Sequence, residues 1–141
     1  MQPKDPLLWI AAAILGLQTA YSVLWAIVSM LVFMTSWTGV LLGLPFGDAA
    51  RAAGAAMLAF GYLYVAISAL GLFWLLRSDL RALYAQGACI VFNAALFGRM
   101  IGNPYWSGWL EGLILLFSLA AFVLMLDFRQ RGVLLRRPRA R

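Results

Sequence analysis

The sequence predicts an all-α fold, a transmembrane bundle of four helices in antiparallel up-down order. Three observations lead there. The 141-residue chain is 65% hydrophobic and 11% charged, against roughly 45–50% and about 25% in a soluble domain. So short a chain has no water-soluble core large enough to hide that excess. The apolar residues fall into four runs, near 7–34, 49–76, 80–100 and 109–128, separated by Gly, Pro and polar clusters. Finally, if all four runs cross, Lys4, Arg77, Arg81, Arg129, Arg131, Arg136, Arg137, Arg139 and Arg141 share one side, leaving Arg51 and Arg99 on the other. The cationic side of a membrane protein is the cytoplasmic one, so both termini are expected there. Three or five spans would separate Arg77 and Arg81 from one terminus.

The first run is long enough for a helix of ~40 Å, more than a hydrocarbon core of ~30 Å requires. Lys4 ahead of an apolar stretch, with Ala20 as a cleavage residue, also resembles a signal peptide. Gln18 is a poor residue for such a site, and the apolar run resumes at Val23, so the first helix is expected to be retained. Thr35, Ser36, Thr38, Gly39, Gly43, Pro45 and Gly47 predict a break over 35–48. Trp37 and Phe46 there suit a headgroup boundary, and Asp48 is a candidate N-cap for the second helix. Residues 77–81 form a short charged connection to the third. Gly98, Gly102, Asn103, Pro104, Ser107 and Gly108 end the third helix, and the fourth begins near Trp109. A basic tail occupies 129–141.

Polar residues recur at helical spacing, which gathers them on one face of each span. The lines are Gln18, Ser22, Trp25 and Ser29; Gly54, Gly61 and Ser68; Gln86, Cys89 and Asn93; and Glu111, Leu115, Ser118 and Phe122. In lipid such residues turn inward. They predict either a packed bundle joined by inter-helix hydrogen bonds or a polar-lined pocket. Small residues also repeat every four positions, at Ala12, Gly16 and Ala20, at Ala52 and Ala56, and at Ala55 and Ala59, allowing close helix approach.

The candidate polar site comprises Arg51, Arg99, Glu111, Gln18 and Asn93. Glu111 is either an intramembrane carboxylate able to move a proton or a first-turn acid favoured by the helix dipole. Arg99 ends the third helix and Glu111 begins the fourth, so the short connection predicts an ion pair between them. Arg51 and Asp48 could join that cluster, as a structural clamp or as an anion site. Tyr62, Tyr64, Tyr105 and Trp106 are either interface anchors or walls of a flat-ligand pocket. Histidine is absent, which excludes imidazole catalysis and His-ligated haem. Cys89 is the one cysteine; no intrachain disulfide is possible, and it reads as a small buried hydrophobe. No metal site is expected. The net charge of +6 is concentrated in the tail, since six of the eleven basic residues follow Asp127. That points to anionic lipid, not to nucleic acid.

The stretch from Arg51 through Gly54 and Gly61 to Leu63, with Gly98-Arg99, Asn103-Pro104 and Glu111-Gly112-Leu113, resembles the DoxX-like group of small four-helix bacterial membrane proteins. It is similar in particular to an uncharacterised branch of that group. The resemblance covers residues 5–130 and implies functional weight for Arg51, Gly54, Gly61, Gly98, Arg99 and Glu111. It also implies a bacterial cytoplasmic (inner) membrane and a possible link to membrane redox complexes and quinone chemistry. Without histidine or a cysteine pair, redox activity of its own is not expected. Two functions follow as expectations. One is a non-enzymatic subunit or scaffold, without cofactor, packing against a membrane protein partner or in a homo-oligomer. The other is an enzyme or redox-complex subunit binding a quinone or isoprenoid. No inverted repeat points to a transporter.

Overall fold

The computed structural model describes residues 6–41, 47–100 and 109–134, with the backbone alone at 36, 37, 39–41, 47–51, 99 and 100. It is an all-α bundle of four helices: α1 (Pro6–Leu41), α2 (Gly47–Leu76), α3 (Arg81–Met100) and α4 (Trp109–Gln130).

The first helix runs well past its expected end. Thr35 and Thr38 do not break it, because their hydroxyls donate back to carbonyls of the preceding turn. Thr35 Oγ1 reaches Leu31 O at 3.0 Å and Val32 O at 2.9 Å, and Thr38 Oγ1 reaches Met34 O at 3.1 Å. A threonine satisfied in this way continues a helix. The second helix starts at Gly47, so Asp48 falls inside its first turn and not ahead of it. Of the expected break over 35–48, residues 42–46 lie outside the described residues, as do 101–108 with Tyr105 and Trp106.

Two helix ends close with left-handed caps. At the end of α2, Ser78 has φ of 56°; its N–H donates to Leu75 O, and the Asp79 N–H donates to Trp74 O. At the end of α4, Gly132 has φ of 71°, with Gly132 N–H to Arg129 O and Val133 N–H to Phe128 O. Both are Schellman motifs, which satisfy last-turn carbonyls. Asp79 then starts α3 at once, its Oδ1 accepting the Arg81 N–H at 2.9 Å as an N-cap does.

The chain divides into two compact units. One contains α1 up to Thr19, α2 from Ile67, α3, α4 and the turn after it. Its core joins Leu8, Ala11, Ala12 and Leu15 to Leu75, Leu80, Ala82, Leu83, Ala121, Met125, Phe128 and Leu134. Neighbouring helices there are antiparallel. Leu8 and Leu76 border one small void while Leu15 lies near Gly71, and Gly87 lies near Phe122 while Gly112 lies near Phe97. The other unit, Ala20–Ala66, is a helical hairpin of the rest of α1 and α2. A Cβ at Gly61 would come 3.1 Å from the Ala26 Cα and 3.3 Å from Ser29 Oγ, so a glycine is what lets these backbones approach.

Among the described residues three segments, Pro6–Thr35, Ala52–Leu76 and Trp109–Gln130, are long and apolar enough to cross a membrane, and α3 is not one of them. The polar and apolar surfaces are distributed as lipid solvent would require. Phe60, Val91, Leu116 and Val123 are more than half exposed, whereas Gln18, Ser22, Ser29, Gln86, Asn93, Glu111 and Ser118 are at most 3% exposed. The outward Ala52, Ala55, Ala56 and Ala59 of α2 are exposed too. The α1 series is divided, with Ala12 buried, Gly16 half-buried and Ala20 exposed, because a spacing of four drifts around a helix of 3.6 residues per turn.

Candidate functional site

Three helices meet around Ser118. Gln18 comes from α1, Gln86 and Asn93 from α3, and Ser118 from α4. Gln86 Nε2 donates to Gln18 Oε1 at 3.1 Å and to the Ser118 carbonyl at 3.0 Å. Asn93 Nδ2 donates to Ser118 Oγ at 2.7 Å. Ser118 Oγ lies 2.8 Å from Ile114 O and 3.2 Å from Gln18 Oε1. A hydroxyl has a single proton, so Ser118 shares it between its own helix and Gln18.

The sequence dictates this convergence. The seven-residue step from Gln86 to Asn93 is close to two helical turns, so both amides project from one face of α3. A long amide side chain buried in an apolar environment must find partners outside its own helix, because an unmade hydrogen bond there is expensive. Cys89, between the two and 1% exposed, also adjoins Gln18.

One donor stays unsatisfied. Gln18 Nε2 has no hydrogen-bond partner among the described residues. Its orientation explains why. Gln86 Nε2 and Ser118 Oγ both approach the Oε1 side, and turning the amide over would set donor against donor at Gln86. The nitrogen therefore points the other way. The neighbouring Cys89 sulfur is only a weak acceptor.

Glu111 lies in the first turn of α4 and is buried. It is seven residues from Ser118, on the same face and ~10 Å away along the helix. Gly112 beside it gives the Phe97 ring room: a Cβ there would come 3.2 Å from that ring. The structure thus brings Gln18 and Asn93 together through Ser118 and buries Glu111 on the same face of α4 as Ser118. The side chains of Arg51, Arg99 and Asp48 lie outside the described residues, as does the expected Arg99–Glu111 ion pair. Tyr62 is exposed while Tyr64 is 1% exposed, so these two do not share one wall.

The sequence reading takes Asp79 only as part of a charged connection, and it is buried. Asp79 is a capping residue that an acid just before an apolar helix signals. Gln86 and Ser118 were visible in the polar lines but not as the centre of the network. Among the described residues no group of three His, Cys, Asp or Glu side chains comes together. The void bounded by Leu8, Trp9, Ala12 and Leu76 has a volume of about 10 Å³, about the size of one water. The network is made of neutral amides and hydroxyls. Its groups can fix helix register and bind a polar atom, but none is an activated base or nucleophile. No family model, curated protein or solved structure matches the chain.

Proposed function

We propose that this chain is an integral protein of a bacterial cytoplasmic membrane, crossing four times with both termini cytoplasmic, and that it serves as a non-enzymatic subunit or scaffold in a membrane assembly. The carrying observation is the inverted distribution of polarity: amides bonded to one another inside, and aliphatic and aromatic side chains outside. The fourth crossing is α3. It is 20 residues long, enough for ~30 Å, and its Gln86 and Asn93 face inward while Val91 faces out. The outward alanines of α2 support the assembly role, since small residues in lipid mark close helix contacts. The resemblance to the DoxX-like group belongs to the same proposal. Solubilised gently from its own membranes, the protein should run larger than a monomer in its micelle. Replacing Ala56 and Ala59 together with leucine should return it to monomer size. A strict monomer before substitution would sink the scaffold reading.

Gln18 Nε2, which has no oxygen acceptor among the described residues, favours a second reading, an enzyme or redox-complex subunit in which this N–H meets a carbonyl of a quinone or isoprenoid-type molecule. Ubiquinone added to the purified protein should then raise its melting temperature, and Gln18→Leu should abolish the rise. No shift in the unaltered protein would remove this reading.

A further inference from the structure

The α2–α3 connection carries charge that the bundle leaves unused. Arg77 and Arg81 are exposed, and neither makes an ion pair among the described residues. The acid between them, Asp79, is 7% exposed and is occupied in capping α3. At the end of α4 the situation differs, because Arg131 Nε sits 2.8 Å from Asp127 Oδ2. The two unpaired guanidiniums are nonetheless held in place. Arg77 Cζ lies 4.2 Å from the centroid of the Phe73 ring, and Arg81 Cζ lies 6.0 Å from that of Trp74. Both rings belong to the last turn of α2. A ring face attracts a guanidinium, and a guanidinium held there keeps N–H donors in a fork that matches phosphate. Phe73 and Leu76 are each nearly half exposed beside them. Cationic forks at the edge of an apolar surface fit an anion that is itself joined to an apolar body.

We propose that Arg77 and Arg81 form a binding site for the phosphate headgroup of an anionic membrane lipid, separate from the basic tail. The site rests on the membrane reading above. Free phosphate could use the same forks, but the exposed Phe73 and Leu76 add contact that only an acyl chain can use. Native mass spectrometry of the full chain in nonionic detergent, with phosphatidylglycerol and phosphatidylcholine added in equal amounts, tests it. The expected result is preferential retention of phosphatidylglycerol. That preference should fall about fivefold for each arginine removed in R77Q and R81Q, following the ~1 kcal/mol per residue of such contacts. It should survive removal of residues 135–141. Three results would overturn the site: an unchanged preference in the double variant, loss of preference on removing the tail alone, or displacement of the lipid by inorganic phosphate. Alkaline carbonate extraction of host membranes reads the membrane assignment independently. A chain that stays in the pellet without lipid preference defeats the site alone, and a chain released by carbonate defeats both.

Discussion

The hairpin of Ala20–Ala66 and the unit around Ser118 solve the same problem differently. In the hairpin, the Ser29 hydroxyl donates to Trp25 O at 2.7 Å, and Trp25 Nε1 donates to Tyr21 Oη at 2.6 Å. Those bonds stay within α1. A short hydroxyl reaches the carbonyl one turn back, so it is satisfied without choosing a partner helix. The hairpin takes its specificity from shape, through Gly61 against Ala26 and Ser29. Around Ser118 the bonds run between helices, from Gln86 to Gln18 and from Asn93 to Ser118. A long amide finds its acceptor on another helix and thereby fixes which helix, and which register. Close approach at Gly61 marks the first region, and polar pairing around Ser118 marks the second.

The largest effect should come from attacking shape. Gly61→Leu puts a side chain where a single Cβ already meets backbone at 3.1 Å. Overpacking of this kind costs about 1–3 kcal/mol, and backbone cannot yield as a flexible side chain can, so the upper end is expected. Unfolding titrations with SDS in mixed micelles would measure it. A variant as stable as the parent would show that the hairpin helices are not held by close approach.

Next comes Gln86→Leu, which removes two donors at once. Gln18 Oε1 then keeps only its share of the Ser118 proton. Inter-helix hydrogen bonds in membranes average about 0.6 kcal/mol and reach about 1.7, so a loss of ~1–2 kcal/mol is expected in the same titration. Gln18→Leu should cost less, under ~1 kcal/mol, because it also deletes the unsatisfied Nε2 and its desolvation penalty. If Gln18→Leu proves the costlier of the two, that nitrogen has an acceptor in the working protein, and the ligand-binding reading gains at the scaffold's expense.

Residue spacing alone carries much of this contrast. The steps between Gln86, Cys89 and Asn93, and between Glu111 and Ser118, identify buried faces because helical geometry ties spacing to direction. Spacing says nothing about the height of one helix against another, so the pairing of Gln86 with both Gln18 and Ser118 was not legible. Nor was the orientation of the Gln18 amide, which two converging donors decide. Composition misled at the end of α1. Thr35 and Thr38 resemble breakers as residue types, yet their hydroxyls support the helix they were expected to end. The left-handed cap at Ser78 was likewise hidden, since glycine is the usual residue there and its nearest glycine is Gly71. Among the candidate site residues, Gln18 and Asn93 could be read as inward-facing; that Ser118 links them depends on tertiary contact.

The smallest effect sharpens the comparison most. Ser29→Ala removes a hydroxyl whose bond lies within its own helix, so the cost should be below ~0.5 kcal/mol, as for a bond that specifies no partner. The same substitution has a second use. The Ser29 Oγ is one of the atoms a Cβ at Gly61 would meet, at 3.3 Å, while the Ala26 Cα at 3.1 Å is another. Gly61→Ala alone should therefore destabilise by about 1 kcal/mol, from mild overpacking. Combined with Ser29→Ala, the part due to Oγ should be recovered and the part due to backbone should remain. A coupling of a few tenths of a kcal/mol in favour of the double variant is the expected outcome of the cycle. Full recovery would mean that the serine side chain, and not the backbone of α1, sets the distance between the helices. No recovery would place the constraint on the Ala26 backbone, with the Ser29 hydroxyl a bystander to the approach at Gly61.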